Sequence, residues 1–480
     1  MNWMPQRRST LILAATALLL LVFTVVHLAG ALPNYSRLNF VSGVWLGLAL
    51  DAEDGVWYRP ILGEAGYGGT RYFPGYFTLV AALSFLGMNP VLAGYLLSLL
   101  SGVLLLAAVY VLLRRLGVEP ILSLAGSLFT LGSISTQFAL ATIRGDLLST
   151  ALVILALAIQ PRIWPMALCF ALAFSTKQTA LYGAAAAVLA WWLSGERSRA
   201  YKLAGATAVG CFAVSVLTVL LSGGRVLEHM SSFGHGNFGI AGLLAGPVEA
   251  YKRIHADPSM GLLLLLAVGL LLARASETWK ELPSLLLLWA LIVTAVVFSV
   301  PGADYNHLID LHVAAVVFLF FQLGRGRLEL RFGSAVLAML AVVATAHLAW
   351  HFKVWAPVDH RAVLDWTVES VERIDSASGP DSHPIFSTDP MVPVLRGERP
   401  FVFDPFSFSF VRHRRPEIQA DLYRRLEERW FPALVFDWDP LAEELAARNA
   451  AHFGEGFTDR LIRNYTLVGA RSGYFIFAPR

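Results

Sequence analysis

The chain has 480 residues, is 56% hydrophobic and only 15% charged, and carries a net charge of +3. Soluble globular chains run at about 25% charged, and the mean hydropathy here is +0.60, which excludes an ordinary soluble enzyme. The basic residues lie in short clusters between apolar runs rather than along one face, so a nucleic-acid partner is excluded too.

Arg7 and Arg8 precede the first apolar run, and no good Ala-x-Ala site follows it. The run is read as an uncleaved span, not a signal peptide. In chain order the candidate spans cover 10–31, 90–113, 120–141, 147–160, 163–176, 179–193, 201–222, 259–273, 284–300, 308–323 and 333–351. Several fall short of the roughly twenty residues that cross a bilayer, so kinked or re-entrant helices are expected among them. Cys169 and Cys211 both sit inside such runs and read as small buried hydrophobes.

Orientation follows from the positive-inside rule. With the N-terminus in the cytoplasm, the inner loops carry Arg114 and Arg115; Arg162; Arg197, Arg199 and Lys202; Arg274 and Lys280; and Arg325, Arg327 and Arg331. Eleven spans then leave the C-terminal tail outside. The segment 73–88 is apolar enough for a further span, but counting it would put every basic loop outside. It is read as a helix lying on the outer surface.

After residue 352 hydropathy drops and charge rises. Helix-like stretches (Arg361–Ile374, Glu417–Trp430, Ala442–Phe453) alternate with strand-like runs (Pro384–Ser387, Phe401–Phe403, Leu434–Phe436, Tyr465–Val468, Tyr474–Phe477). That alternation predicts a small α/β domain. The expected architecture is an all-α polytopic membrane domain over 1–351, with a first outer loop at 32–89, and an extracytoplasmic α/β domain over 352–480. No internal repeat is present, which argues against a transporter.

Four ionisable clusters fall at the outer ends of spans. The first is Asp51, Glu53 and Asp54, followed by Arg59 and by Arg71 and Tyr72. Paired carboxylates can take a proton from an acceptor hydroxyl, and the arginine fork suits phosphate. The alternative is a solvated loop with an aromatic belt. The second is Arg144-Gly145-Asp146, where Asp146 either serves a site or caps a helix. The third is Lys177-Gln178, where the lysine meets a lipid phosphate or snorkels to water. The fourth is Asp304-Tyr305-Asn306-His307 with Asp310 and His312, a binder of phosphate or sugar hydroxyls or else a hydrogen-bonded turn. A metal site from Asp304, His307 and Asp310 rests on helix spacing alone, so no metal is assigned. His229, His235, His347 and His351 read as ordinary structural residues. One topology, chosen from basic loops only, puts all four clusters on the same face.

This pattern resembles the GT-C superfamily of membrane glycosyltransferases, in its bacterial branch related to aminoarabinose transferases and protein O-mannosyltransferases. The resemblance covers the span layout over 10–351. Its local carriers are Tyr72-Phe73-Pro74-Gly75-Tyr76-Phe77, similar to Tyr-x-x-Pro-Pro-Leu; Arg144-Gly145-Asp146, similar to Arg-Pro-Asp; Thr176-Lys177-Gln178; and Asn306-His307-Leu308-Ile309-Asp310, similar to Asn-Tyr-x-x-Glu. It implies inverting transfer from a polyprenyl-phosphate sugar, with an outer-loop carboxylate as base and no nucleotide-sugar donor. Asp146 matches the second acidic position, and Lys177 and Arg71 fall where cations face the carrier phosphate. The family's first acidic pair has no counterpart here: Asn34 to Gly43 contains no carboxylate.

The sequence-based reading is a hexosyl- or pentosyltransferase of the bacterial inner membrane. Asp51, Asp54 or Asp146 is the base. Arg59, Arg71, Tyr72, Arg144, Lys177, Gln178, Asn306, His307 and Asp310 bind substrate. The partners are a polyprenyl-phosphate-linked sugar, a lipid, glycan or protein acceptor, and membrane lipids; no cofactor is assigned. A ligase or polymerase of lipid-linked glycans is the alternative, and after it a non-enzymatic transporter or scaffold.

Overall fold

The computed structural model describes residues 3–233, 240–300, 302–378 and 383–480, and His235 lies outside them. The chain opens with α1 (Trp3–Ala31), which packs on a late helix through Leu13, Ala17 and Leu20 and leaves Leu11, Ile12, Leu18 and Val22 exposed. A face that is apolar yet open is what a lipid-facing helix presents. The loop over 32–89 holds two helices, α2 (Phe40–Glu53) and α3 (Gly75–Phe85). The expected helix at 73–88 is α3, and α2 adds a second one.

The bundle continues with α4 (Pro90–Arg115), α5 (Pro120–Phe129), α6 (Ile134–Leu140), α7 (Asp146–Ala158), α8 (Ile163–Thr176), α9 (Tyr182–Leu193) and α10 (Arg197–Leu221). Proline at the first helical position starts several helices, with Asn89 capping α4 from just before Pro90. The run 120–141 is one apolar stretch in sequence but two helices, α5 and α6, bent by 78°. Ser133 caps the second half, and Gln137 donates to the Leu131 carbonyl (2.7 Å) freed at the break. The loop after α10 carries α11 (Arg225–Phe233) and α12 (Ile240–His255). Then come α13 (Pro258–Ala273), the short α14 (Ala275–Thr278), α15 (Leu282–Val297), α16 (Ile309–Gly324) and α17 (Leu330–Phe352), the partner of α1.

Every residue of α16 from Ile309 to Leu323 is buried, so it is the central post of the bundle. All eleven apolar runs are largely helical. Among the described residues, five helices are long and apolar enough to cross a membrane alone, or six with the bent pair counted once; α7, α8, α13 and α15 are apolar but shorter.

Beyond α17 the tail has α18 (His360–Ser378), α19 (Met391–Leu395), α20 (Pro405–Arg414), α21 (Pro416–Glu427), α22 (Ala446–Phe453) and α23 (Phe457–Asn464). They flank a sheet of β1 (Phe386–Ser387), β2 (Leu434–Phe436), β3 (Tyr465–Arg471) and β4 (Tyr474–Pro479), ordered β1-β2-β4-β3. β1 runs parallel to β2, and the other pairs are antiparallel. Ser472 and Gly473, with φ of 47° and 93°, make the two-residue turn between β3 and β4.

Phe401–Phe403, expected as a strand of this sheet, pairs instead with the first loop. Tyr67 N–H donates to the Phe401 carbonyl (2.7 Å), and Phe403 N–H donates to the Tyr67 carbonyl (3.1 Å). Gly66 takes φ of 119° beside this bridge, where a Cβ would fall 2.2 Å from the Phe401 oxygen. Val44, Trp45 and Leu48 of α2 share one apolar cluster with Val363, Leu364, Met391, Val435 and Ile476 of the tail. First loop and tail are therefore packed as one layer against the helix ends.

Candidate functional site

A cavity of about 520 Å³ opens where that layer meets the ends of α7, α8, α15 and α16. Arg71, Tyr72, Arg144, Asp146, Lys177, Gln178, Asn306 and His307 all line it. Residues far apart in sequence thus meet at one place because the turns between helices return to the same end of the bundle.

Arg71 and Tyr72 stand just ahead of α3. The Tyr72 ring stacks on Trp45 (4.4 Å between centroids), and its carbonyl accepts from the Tyr58 hydroxyl at 2.9 Å. The Arg144-Gly145-Asp146 turn joins α6 to α7. Gly145 is needed there because a Cβ would meet Thr176 Cγ2 at 2.7 Å and Tyr76 Cβ at 3.0 Å. Lys177 ends α8 in an extended conformation, which stops the helix and swings the ammonium inward.

Lys177 Nζ lies 3.0 Å from Asp146 Oδ1 and 3.1 Å from Asp310 Oδ2. Asp146 Oδ1 also accepts from Asn306 Nδ2 (3.0 Å). Asp310 Oδ1 accepts from the Thr150 hydroxyl (2.6 Å) and the Tyr182 hydroxyl (3.0 Å). Buried ions persist only when paired and hydrogen-bonded, and this trio meets that condition. Asp310 backs the cavity wall through Lys177 and is not among its lining residues.

The two arginines are different. Neither Arg71 nor Arg144 makes an ion pair or a side-chain hydrogen bond among the described residues. Arg144 sits over the Phe138 ring at 4.8 Å with a buried Nε that has no partner, and Arg71 sits over Phe406 at 5.5 Å. His307 Nδ1 is likewise buried and unpartnered among the described residues. The cavity wall therefore presents two guanidinium groups without a protein carboxylate, plus a ring nitrogen awaiting a partner. That donor set suits a phosphate.

The first cluster is divided: Arg71 and Tyr72 reach the cavity, whereas Asp51, Glu53, Asp54 and Arg59 are not among its lining residues. Asp51 is buried in a two-pronged ion pair with Arg59 (Nε–Oδ2 2.9 Å, Nη2–Oδ1 2.7 Å), and Arg399 Nε is 3.3 Å away. Arg59 also donates to the Pro400 carbonyl at 2.7 Å, and Arg399 pairs with Asp54. Asp51, Asp54 and Arg59 form a clamp between α2 and the tail. The sequence-based reading made Asp51 and Asp54 candidate bases and Arg59 a substrate binder; in the structure none of the three is among the cavity's lining residues, and Asp51 and Arg59 are buried against each other. Asp304, His307 and Asp310 do not form a metal-ligand group either; among the described residues no such group exists.

Other residues enter unannounced. Asn39, cap of α2, lines the cavity, as do Asp404 and Phe406 of the tail and Met230 of α11. Asp404-Pro405 in sequence reads only as a helix start; nothing local marks it as a cavity residue. His229, read as an ordinary loop residue, is fully buried: its Nδ1 accepts from Thr70 N–H (3.2 Å) and its Nε2 lies 2.9 Å from the Arg59 carbonyl.

No protein family matches by sequence pattern, and no curated protein matches by sequence. Solved structures match over nearly the whole chain. ArnT from Cupriavidus metallidurans in the apo state superposes with a TM-score of 0.58 at 13% identity, covering 96% of this chain and 97% of that one. ArnT bound to undecaprenyl phosphate gives 0.57 at 12% identity over the same shares. The oligosaccharyltransferase AglB from Archaeoglobus fulgidus, in complex with an inhibitory peptide and a dolichol-phosphate, gives 0.56 at 11% identity, covering 100% of this chain and 75% of that one. At these identities the likeness is one of fold: the chain shares the fold of ArnT and AglB over nearly its whole length.

Proposed function

We propose that the chain is a membrane glycosyltransferase that moves a sugar from a polyprenyl-phosphate carrier to an acceptor hydroxyl with inversion. The observation that carries this is the pair of carboxylate-free guanidinium groups, Arg71 and Arg144, on one cavity wall. The fold gives support, since related structures hold undecaprenyl phosphate and dolichol-phosphate. As the sugar–phosphate bond breaks, Arg71 and Arg144 meet the charge that develops on the phosphate. Lys177 fixes Asp146 and Asp310, so it shapes the wall rather than holding the phosphate. Gln178, Asn306, His307 and Tyr72 face the sugar. Val296, Val297 and Val300 form the apolar side, where the carrier's first prenyl units lie.

In this reading the chain crosses the bacterial inner membrane eleven times with its N-terminus in the cytoplasm. First loop, tail and cavity lie on the outer face. The basic inner loops support that orientation. A second reading, transfer of a lipid-linked glycan block, is kept because AglB shares the fold; it uses the same cavity.

The test is transfer of radiolabelled sugar from synthetic polyprenyl-phosphate sugars by purified protein, beside Arg71→Ala and Arg144→Ala. Each variant is expected to bind undecaprenyl phosphate about ten- to a hundredfold more weakly, the loss of one charged hydrogen-bonding group. No transfer and no donor hydrolysis by wild type across hexose, pentose and oligosaccharide donors overturns the proposal.

A further inference from the structure

We infer that the general base is supplied by the tail, as the Asp404 carboxylate at the start of α20. The inference rests on the transferase reading above. An inverting attack needs a group that takes the acceptor's proton, and the Asn34–Gly43 stretch offers none. Its cavity residue, Asn39, is an amide, which does not accept a proton near neutral pH.

Among the described residues, three carboxylates line the cavity: Asp146, Asp304 and Asp404. Asp146 is held on Oδ1 by Lys177 and Asn306. Asp304 has a side chain 55% exposed and lies 3.8 Å from Arg253, so water competes for it. Asp404 is 5% exposed and has no cation within ion-pair distance among the described residues. Its donors are neutral: Phe406 N–H and Ser407 N–H to Oδ1, both at 3.1 Å, and the Ser407 hydroxyl to Oδ2. That set fixes the carboxylate and leaves a lone pair of Oδ2 unclaimed. Burial pushes the carboxyl up from the usual range, against the pull of Ser407 and Arg71, toward the operating pH where a general base works best.

Position agrees. Phe406, two residues on, carries the Arg71 guanidinium over its ring at 5.5 Å. The base and the phosphate-binding arginine are thereby held on one short segment. In the step itself, the acceptor O–H proton passes to Asp404 Oδ2 and the acceptor oxygen bonds to the anomeric carbon. The bond from that carbon to the phosphate oxygen breaks, and its electron pair leaves with the polyprenyl phosphate.

Asparagine is as good a helix cap as aspartate, so Asp404→Asn removes the base while keeping the cap. The experiment compares wild type, Asp404→Asn and Asp146→Asn in transfer rate, in undecaprenyl phosphate binding and in thermal midpoint. Expected for Asp404→Asn is a fall in kcat of about a hundredfold or more, with carrier binding and midpoint within error of wild type. Wild-type kcat is expected to fall on the acid side with a one-proton slope, and the residual rate of Asp404→Asn to lack that limb. Transfer by Asp404→Asn within tenfold of wild type overturns the assignment. So does a loss of rate that comes with lost carrier binding or a lowered midpoint, which marks a structural role. If wild type itself transfers nothing from any carrier-linked sugar, the transferase reading falls and the assignment falls with it.

Discussion

Arg59 and Lys177 carry the same charge, and burial assigns them different work. Arg59 is spent on Asp51, with side chains only 6% and 2% exposed. Breaking a buried pair from one side costs about 3–5 kcal/mol, so Asp51→Asn is expected to lower the thermal midpoint sharply. Transfer per folded molecule is expected to stay near wild type, which an assay normalised to folded protein checks. Asp389, in the tail, gives a pH prediction. It is fully buried and accepts from Tyr474 OH and Met391 N–H, while burial and then Asp437 push its carboxyl up to about 6. A raised acid favours the fold while protonated. Its contribution is present below pH 4 and lost as pH rises through about 6. At neutral pH the ionised group costs roughly 3 kcal/mol. Asp389→Asn is expected to raise the midpoint at pH 7 more than at pH 4.5, read by thermal melts at both values. His229 works with the opposite sign: burial lowers its basicity, so its contribution is lost as pH falls below 6.5.

At the scale of elements, the ends of α7, α8 and α16 are tied by one ammonium between two carboxylates. Lys177→Met leaves Asp146 and Asp310 buried and facing each other. We expect a loss of about 3–5 kcal/mol, and partial recovery of the midpoint when Asp310→Asn is added. No recovery would mean that the lysine's stem, not its charge, holds the three helices. The α6–α7 turn is as tightly set. Gly145→Ala places a methyl against Thr176 and Tyr76, and overpacking of this kind costs about 1–3 kcal/mol. Because Asp146 follows directly, carrier binding and transfer are expected to fall together, seen as a joint change in KM and kcat.

At the scale of the molecule, the tail is part of the cavity. It contributes Asp404 and Phe406, pairs its Phe401–Phe403 segment with Tyr67, and shares an apolar cluster with α2. Gly43 of α2 lies so close that a Cβ would fall 2.4 Å from Met391 N. Removing residues 353–480 therefore exposes that cluster as well as opening the cavity. The truncated chain is expected to aggregate in detergent, visible by size-exclusion chromatography. A monodisperse truncated protein would show that the bundle and first loop stand alone.

The sequence by itself determined the helical runs, because long apolar segments have few alternatives in lipid, and it marked the polar turns where the chain returns to one face. Arg71, Tyr72, Arg144, Asp146, Lys177, Gln178, Asn306 and His307 were legible for that reason: each sits at a helix end that the bundle gathers. Asp51 and Arg59 look the same on paper, since an exposed acid and one half of a buried pair have the same letter. Only packing against Arg399 and Pro400 distinguishes them. The tertiary structure also decided where Asp404 points, through a contact between residues more than three hundred positions apart. No local spacing encodes such a contact; it arises from burying the first loop against the tail.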